Sequence, residues 1–159
     1  MSTDVRVRHA VRVLLLDEAD RLLLFRAEDA EAGSFWFPVG GGLDDGEDAP
    51  TAAAREVAEE TGLKDLALGA EVWTRRHVFT WRGVSWDQRE RWYLARVAHF
   101  EPDTSAMTDG EKTDLTACRW WSVTDMEATT DRLTPRDLAA RLRILLADGP
   151  PPAPIEVGI

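Results

Sequence analysis

Cysteine is almost absent from this chain, and the one present, Cys118, can neither close an intramolecular disulfide nor build a multi-cysteine metal site. A reducing compartment, most simply the cytoplasm, is the expected setting. Long hydrophobic runs are also missing. The first apolar run, Val13 to Leu16, stops at Asp17, so it matches neither a signal peptide nor a membrane span, and no membrane partner is expected. Lysine is reduced to Lys64 and Lys112, leaving arginine as nearly the whole basic complement. Positive charge as a whole is scarce: 19 Lys and Arg against 29 Asp and Glu give a formal charge of −10, which would repel a phosphate backbone and argues against polymeric nucleic acid as a partner. A small phosphorylated substrate stays compatible, because carboxylates that hold a divalent metal invert the local field.

What is present describes an ordinary folded unit. At 159 residues with 44% hydrophobic and 30% charged residues, one domain with one active site is expected, and there is no internal repeat or interdomain linker. Val11 to Leu16 and Leu22 to Arg26, separated by Asp17-Glu18-Ala19-Asp20, predict a strand, a turn and a strand, so that a hairpin opens the domain. Phe35-Trp36-Phe37 predicts a short strand leading through Pro38 into a tight loop at Gly40-Gly41-Gly42. Asp48 as N-cap, Pro50 in the first turn and Gly62 as the stop predict a helix over Ala49 to Thr61. Leu66 to Thr80 and Arg91 to Phe100 read as strands on either side of the Arg82-Gly83 turn and a polar segment, and Trp120 to Val123 as a shorter strand. Thr134 as cap and Pro135 at the first position open a second helix that ends near Gly149, and Pro150 to Ile159 reads as an extended proline-rich tail, 150–159, after a domain over 1–149.

Chemistry concentrates on the first helix. At about 100° per residue, Glu60 lies roughly 40° to one side of Glu56 and Glu59 roughly 60° to the other, so three carboxylates share a face. Ala54, Val57, Ala58 and Thr61 fall on the other face, which predicts that these pack on a sheet and leave the glutamates pointing away from it. Alone on a helix such a trio is a solvated surface. Mutual repulsion disappears if a divalent cation is bound, and magnesium takes oxygen ligands of this kind together with substrate phosphate. Arg55, four residues before Glu59, is placed to orient it.

Gly41, Glu47, Arg55, Glu56, Val57, Glu59, Glu60, Gly62 and Leu63 match every fixed position of the Nudix signature, and on these residues the chain resembles the Nudix hydrolase family. The resemblance implies an α/β fold, an α/β/α sandwich around a mixed sheet, and a magnesium-dependent hydrolase in which manganese can substitute. It implies Glu56 and Glu60 as principal metal ligands, Glu59 as a further ligand, Gly40 as a carbonyl ligand, Arg55 as organiser and Glu47 as loop scaffold, while the glycines themselves, Gly41 and Gly42 among them, let backbone groups approach the metal or a substrate phosphate. Many family members place proline directly before the paired glycines; here Val39 stands between Pro38 and Gly40.

Several other residues carry two readings. Arg26 occupies the place from which arginines of similar enzymes reach a substrate phosphate, or is a surface arginine. Glu111, and less so Asp114, lies where some relatives supply an extra metal ligand or a general base. Trp81 and Trp86 flank the turn and are candidates for stacking on a nucleobase, against a core role. His77 alone of the three histidines lies in a segment that could border the pocket.

The function implied is hydrolysis of the diphosphate linkage of a nucleoside diphosphate joined to another moiety, with Glu56, Glu59 or Glu111 as the proton acceptor. Two alternatives stand beside it: a nucleotide-sensing Nudix-fold module that does not cleave, which would favour a degenerate box, and an isoprenyl diphosphate isomerase, which needs a catalytic cysteine where only Cys118 is available. The absence of proline between Pro50 and Pro102 removes the marker of typical ADP-ribose enzymes. The expected partner is a small nucleotide diphosphate derivative, with a homodimer left open.

Overall fold

A computed structural model describes residues 4–29 and 33–159, the side chains of Thr113 and Asp114 excepted. Twelve elements follow in order: β1 (Val5–Leu16), β2 (Leu22–Asp29), β3 (Gly33–Gly42), α1 (Ala49–Thr61), β4 (Glu71–Trp81), β5 (Val84–Arg96), α2 (Asp109–Asp114), β6 (Leu115–Trp121), α3 (Val123–Ala128), β7 (Arg132–Leu133), α4 (Leu138–Asp148) and β8 (Ile155–Val157). The strands form one mixed sheet in the order β6-β2-β3-β1-β5-β4-β8, with β7 added to β3. The β1 and β5 strands run parallel over their whole length, whereas β3 lies antiparallel to β1 and β2.

The layers follow from strand alternation. Val11, Val13 and Leu15 of β1 face one core with Leu23, Phe25, Val39, Ala52, Ala53 and Val57, under α1. Leu14 and Leu16 face a second core with Trp36, Trp92, Trp121, Leu138, Leu142 and Leu145, under α3 and α4. A strand buried on both sides is apolar throughout its buried length, as Val11 to Leu16 is except at Arg12. The expected α/β/α sandwich is therefore what forms. Among the described residues no helix is long and apolar enough to cross a membrane.

Several local expectations are corrected. β1 and β2 meet only at Leu16 and Leu22; beyond the turn β3 inserts between them, so they are not a hairpin ladder. The Gly40-Gly41-Gly42 segment is not a loop but the end of β3, and Gly40 lies so close to β1 that a Cβ there would stand 2.0 Å from the Val11 carbonyl oxygen. Residues 66–70 precede β4, and β5 begins at Val84, because the polar segment Asp87 to Arg91 finds cross-strand charge partners: Arg76 bonds Asp87 at 2.8 Å and Arg91 bonds Glu71 at 2.8 Å. The strand expected over Trp120 to Val123 is β6, ending at Trp121, and Val123 already opens α3 behind the Ser122 cap. Thr134 and Pro135 lie ahead of α4, which begins after Asp137.

The supposed tail does not stay apart. Ile155–Val157 pair parallel with β4, Val157 is buried, and Gly158 accepts a bond from Arg75 Nε at 3.0 Å. The outer edge of β4 offers unpaired backbone groups, and the last residues of the chain satisfy them.

Candidate active site

Helix α1 has the bounds its sequence signals imply. Asp48 accepts a bond from the Thr51 amide at 2.8 Å, and Gly62 ends the helix at φ 77°, in the left-handed region. Its buried face consists of Ala49, Ala52, Ala53, Glu56, Val57, Glu60 and Thr61. The expectation that the glutamates point away from the sheet is thereby overturned: Glu56 and Glu60 lie on the packing face, while Ala54 is exposed. The small Ala52 and Ala53 bring the helix close to the sheet, and the next turns deliver two carboxylates into the seam.

Arg55 organises the segment before and within the helix. Its guanidinium donates to both carboxylate oxygens of Glu47 at 2.8 Å, to Glu56 at 2.9 Å, to Glu59 at 3.3 Å and to the Gly42 carbonyl at 3.0 Å. Arg55 pushes the Glu47 carboxyl down to about 2, and Glu47 in turn accepts from the Asp44 amide at 3.0 Å, tying the loop to the helix.

Glu60 is 2% exposed, and among the described residues its Oε2 has no hydrogen-bond partner. Burial, followed by the negative charge of Glu56, holds its carboxyl well above the usual range; burial raises Glu56 as well, against the pull of Arg55. Glu111 completes the group. It sits in the first turn of α2 in a capping box with Thr108, and oxygens of Glu56, Glu60 and Glu111 lie within 4.8 Å of one another. Glu59, expected as a further ligand, lies outside this trio and shares Arg55 Nη1 with Glu56, at 3.3 Å against 2.9 Å. A buried carboxylate oxygen without a donor, surrounded by like charge, is the donor set a hard divalent cation satisfies.

These acids open onto a cleft of about 850 Å³ lined also by Gly40, Gly41, Gly42, Arg8, Arg12, Phe35, Phe37, Arg75, His77, Phe79, Trp81 and Glu90. The glycines make room: a Cβ on Gly41 would come within 2.5 Å of Glu56 Oε1, and one on Gly42 within 2.9 Å of Arg8 Nε. Trp81 and His77 stand where the sequence suggested; burial and then Arg75 lower the His77 pKa. Arg26 and Trp86 do not line the cleft. Arg26 donates to Ser34 Oγ at 2.8 Å and lies 3.7 Å from Glu28, its side chain alternating away from that of Ala27, which does line it. Asp114 lies outside the described side chains.

Arg8, Arg12, Arg75 and Glu90 were missed by sequence reasoning. A detectable signal exists for the first two: four residues apart on one strand, they share a face. Cys118 does not line the cleft, and burial, then Glu101 and Glu60, pushes its thiol up to about 12, which disfavours the thiolate that the isomerase alternative needs.

The NUDIX domain family model matches residues 6–142. The chain belongs to the Nudix family. The RNA pyrophosphohydrolase of Dinoroseobacter shibae is 32% identical over 123 residues, 71% of this chain and 75% of that protein. The RNA pyrophosphohydrolase of Nitrobacter winogradskyi is 29% identical over 130 residues, 74% and 76% of the two chains. Among solved structures, the MutT protein of Methanosarcina mazei Go1 superposes with a TM-score of 0.65 at 19% identity, over 89% of this chain and 96% of that one. An Ap4A hydrolase of C. elegans does so at 0.63 and 20%, over 88% and 98%. A degenerate box would favour a sensor that binds without cleaving, and here every fixed position of the signature is intact.

Proposed function

We propose that this enzyme hydrolyses the diphosphate linkage of a nucleoside diphosphate joined to another group, with magnesium, or manganese in its place, held by Glu56, Glu60 and Glu111. The observation that carries the reading is the buried, donorless Oε2 of Glu60 inside a trio of carboxylates at the floor of an arginine-lined cleft. The cation supplies neutralisation of the negative charge that develops on the phosphates. Arg55 fixes the Glu56 carboxylate, and Gly41 leaves the space in which it sits. Glu59, in the cleft and a third exposed, is the group positioned to accept a proton from the attacking water, with Arg55 Nη1 at 3.3 Å to orient it. Trp81, which lines the cleft, offers a ring on which a base can stack.

The names of the curated relatives favour a second reading, in which the pyrophosphate is carried by an RNA. With a net charge of −10, contact with such a strand would be confined to its phosphorylated end. The test is a screen of nucleoside diphosphate sugars, dinucleoside polyphosphates, nucleoside triphosphates and a 5′-triphosphorylated RNA, each with magnesium and after chelation. Magnesium-dependent release on at least one is expected, and full turnover after exhaustive chelation would refute the proposal.

A further inference from the structure

The cleft has an arginine side distinct from its acid side. On β1, Arg12 stands opposite Gly40 and Arg8 opposite Gln88, so both side chains lie on the strand face opposite that of Val11. Gly41 makes room for Glu56, whereas its neighbour Gly42 makes room for Arg8, and successive residues of a strand face opposite ways. The acid trio and the two arginines therefore reach one cavity from different sides of β3.

The charge of these arginines is met through space by the cleft's acids, Glu56 and Glu90 acting on Arg8, and Glu60 and Glu90 facing Arg12. Every nitrogen of Arg55 is engaged by the box, whereas among the described residues Arg12 donates to the Pro38 carbonyl at 3.3 Å and Arg8 to the neutral Gln88 side chain at 2.8 Å. Glu90, which pairs with Arg12, is buried and holds other donors as well: Arg75 at 3.1 Å and Trp92 Nε1 at 3.1 Å on one oxygen, Gln88 Nε2 at 2.5 Å on the other. Arg12 Nε stays 3.8 Å from it, within ion-pair range but beyond a hydrogen bond, with the guanidinium lying over the Phe37 ring at 5.1 Å and only 14% of its side chain exposed. Burial, then repulsion from Arg12, lowers the Arg8 pKa. Arg8 and Arg12 line the same cleft as the acid trio, and the planar donors of a guanidinium suit a phosphate.

We infer that Arg12, steered by the ion pair with the buried Glu90, contacts a phosphate beyond the diphosphate held at the acid trio, so that the enzyme prefers triphosphate-bearing substrates to nucleoside diphosphate sugars. Glu90 acts through Arg12 and is a positioning residue. This rests on the proposed hydrolase function, and it narrows the substrate class.

The experiment compares inorganic triphosphate with inorganic diphosphate by calorimetry in magnesium, alongside steady-state kinetics on a nucleoside triphosphate and a nucleoside diphosphate sugar. Arg12→Ala should weaken triphosphate binding, and raise the KM of the triphosphate, by ~10- to 100-fold, the loss expected for a charge-assisted bond, with diphosphate affected less than about threefold. Arg12→Lys, which keeps the charge but loses the fork, should recover part of this. Glu90→Gln should weaken triphosphate alone, and add nothing once Arg12 is already alanine. The magnesium-induced rise in melting temperature should survive in all three. Equal weakening of both anions by Arg12→Ala, or unchanged triphosphate binding in a folded Glu90→Gln, would overturn the subsite while leaving the hydrolase reading intact. A wild-type chain that gains no thermal stability from magnesium and turns over no diphosphate would overturn both.

Discussion

Replacing Glu60 with glutamine keeps shape and helix preference but removes one of the charges at the centre of the site. Glu60 is buried, and its oxygens lie within 4.8 Å of oxygens from two other carboxylates, where each fully ionised pair at an effective dielectric of about 20 costs roughly 3 kcal/mol. The wild-type protein avoids part of that cost by holding a proton, since burial and then Glu56 raise the Glu60 pKa. With the folded pKa above the unfolded one, the protonated form favours folding. That contribution is complete below the ordinary glutamate value and is lost as pH rises through the raised folded value. Without metal, Glu60→Gln should therefore melt at or above the wild-type temperature at pH 8, by about 2–4 °C for each kcal/mol relieved, and the gap should close toward pH 4.5. With magnesium the order reverses, because the wild type gains a ligand contact that the variant lacks. The kcat should fall on the order of 10² or more, as when a preorganised charge contact is deleted. Paired melts in chelator and in magnesium across pH, with turnover on the substrate found by screening, decide the matter. Wild-type turnover, or an unchanged magnesium shift, would show that Glu60 holds no cation.

Gly41→Ala puts a methyl where Glu56 Oε1 now lies, so magnesium affinity measured by titration should drop ~10-fold or more while the melting temperature in chelator changes little; unchanged affinity would refute the packing account. Arg26→Ala should leave KM within about twofold, since the side chain is turned to Ser34 and Glu28, and a tenfold rise would bring Arg26 back to the substrate. Asp17 is fully buried and accepts bonds from the Ala19 and Arg21 amides, Arg21 Nε and His99 Nδ1, so Asp17→Ala should cost roughly 2–4 kcal/mol in denaturant unfolding. A loss under ~0.5 kcal/mol, the range of an ordinary surface change, would sink that assignment.

Helix α1 and the box were legible because their determinants are local: Asp48, Pro50 and Gly62 act within a turn of themselves, and the spacing of Glu56, Glu59 and Glu60 is a property of the helix alone. The two-sided burial of β1 could likewise be read from its apolar run. Which face of α1 meets the sheet was not local. It depended on how closely Ala52 and Ala53 approach the sheet, and tertiary packing turned Glu56 and Glu60 inward against the simplest reading of the helical wheel. Strand registers decided the rest. Pairing across 80 residues set Arg8 against Gln88, alternation turned Arg26 out of the cleft, and α2 brought Glu111 to Glu56 and Glu60. Even the last residues found their place only because β4 leaves an edge unpaired. Local sequence determined the carboxylate helix; long-range contacts, each carrying a loop-closure cost that only the whole fold offsets, decided which carboxylates and arginines meet.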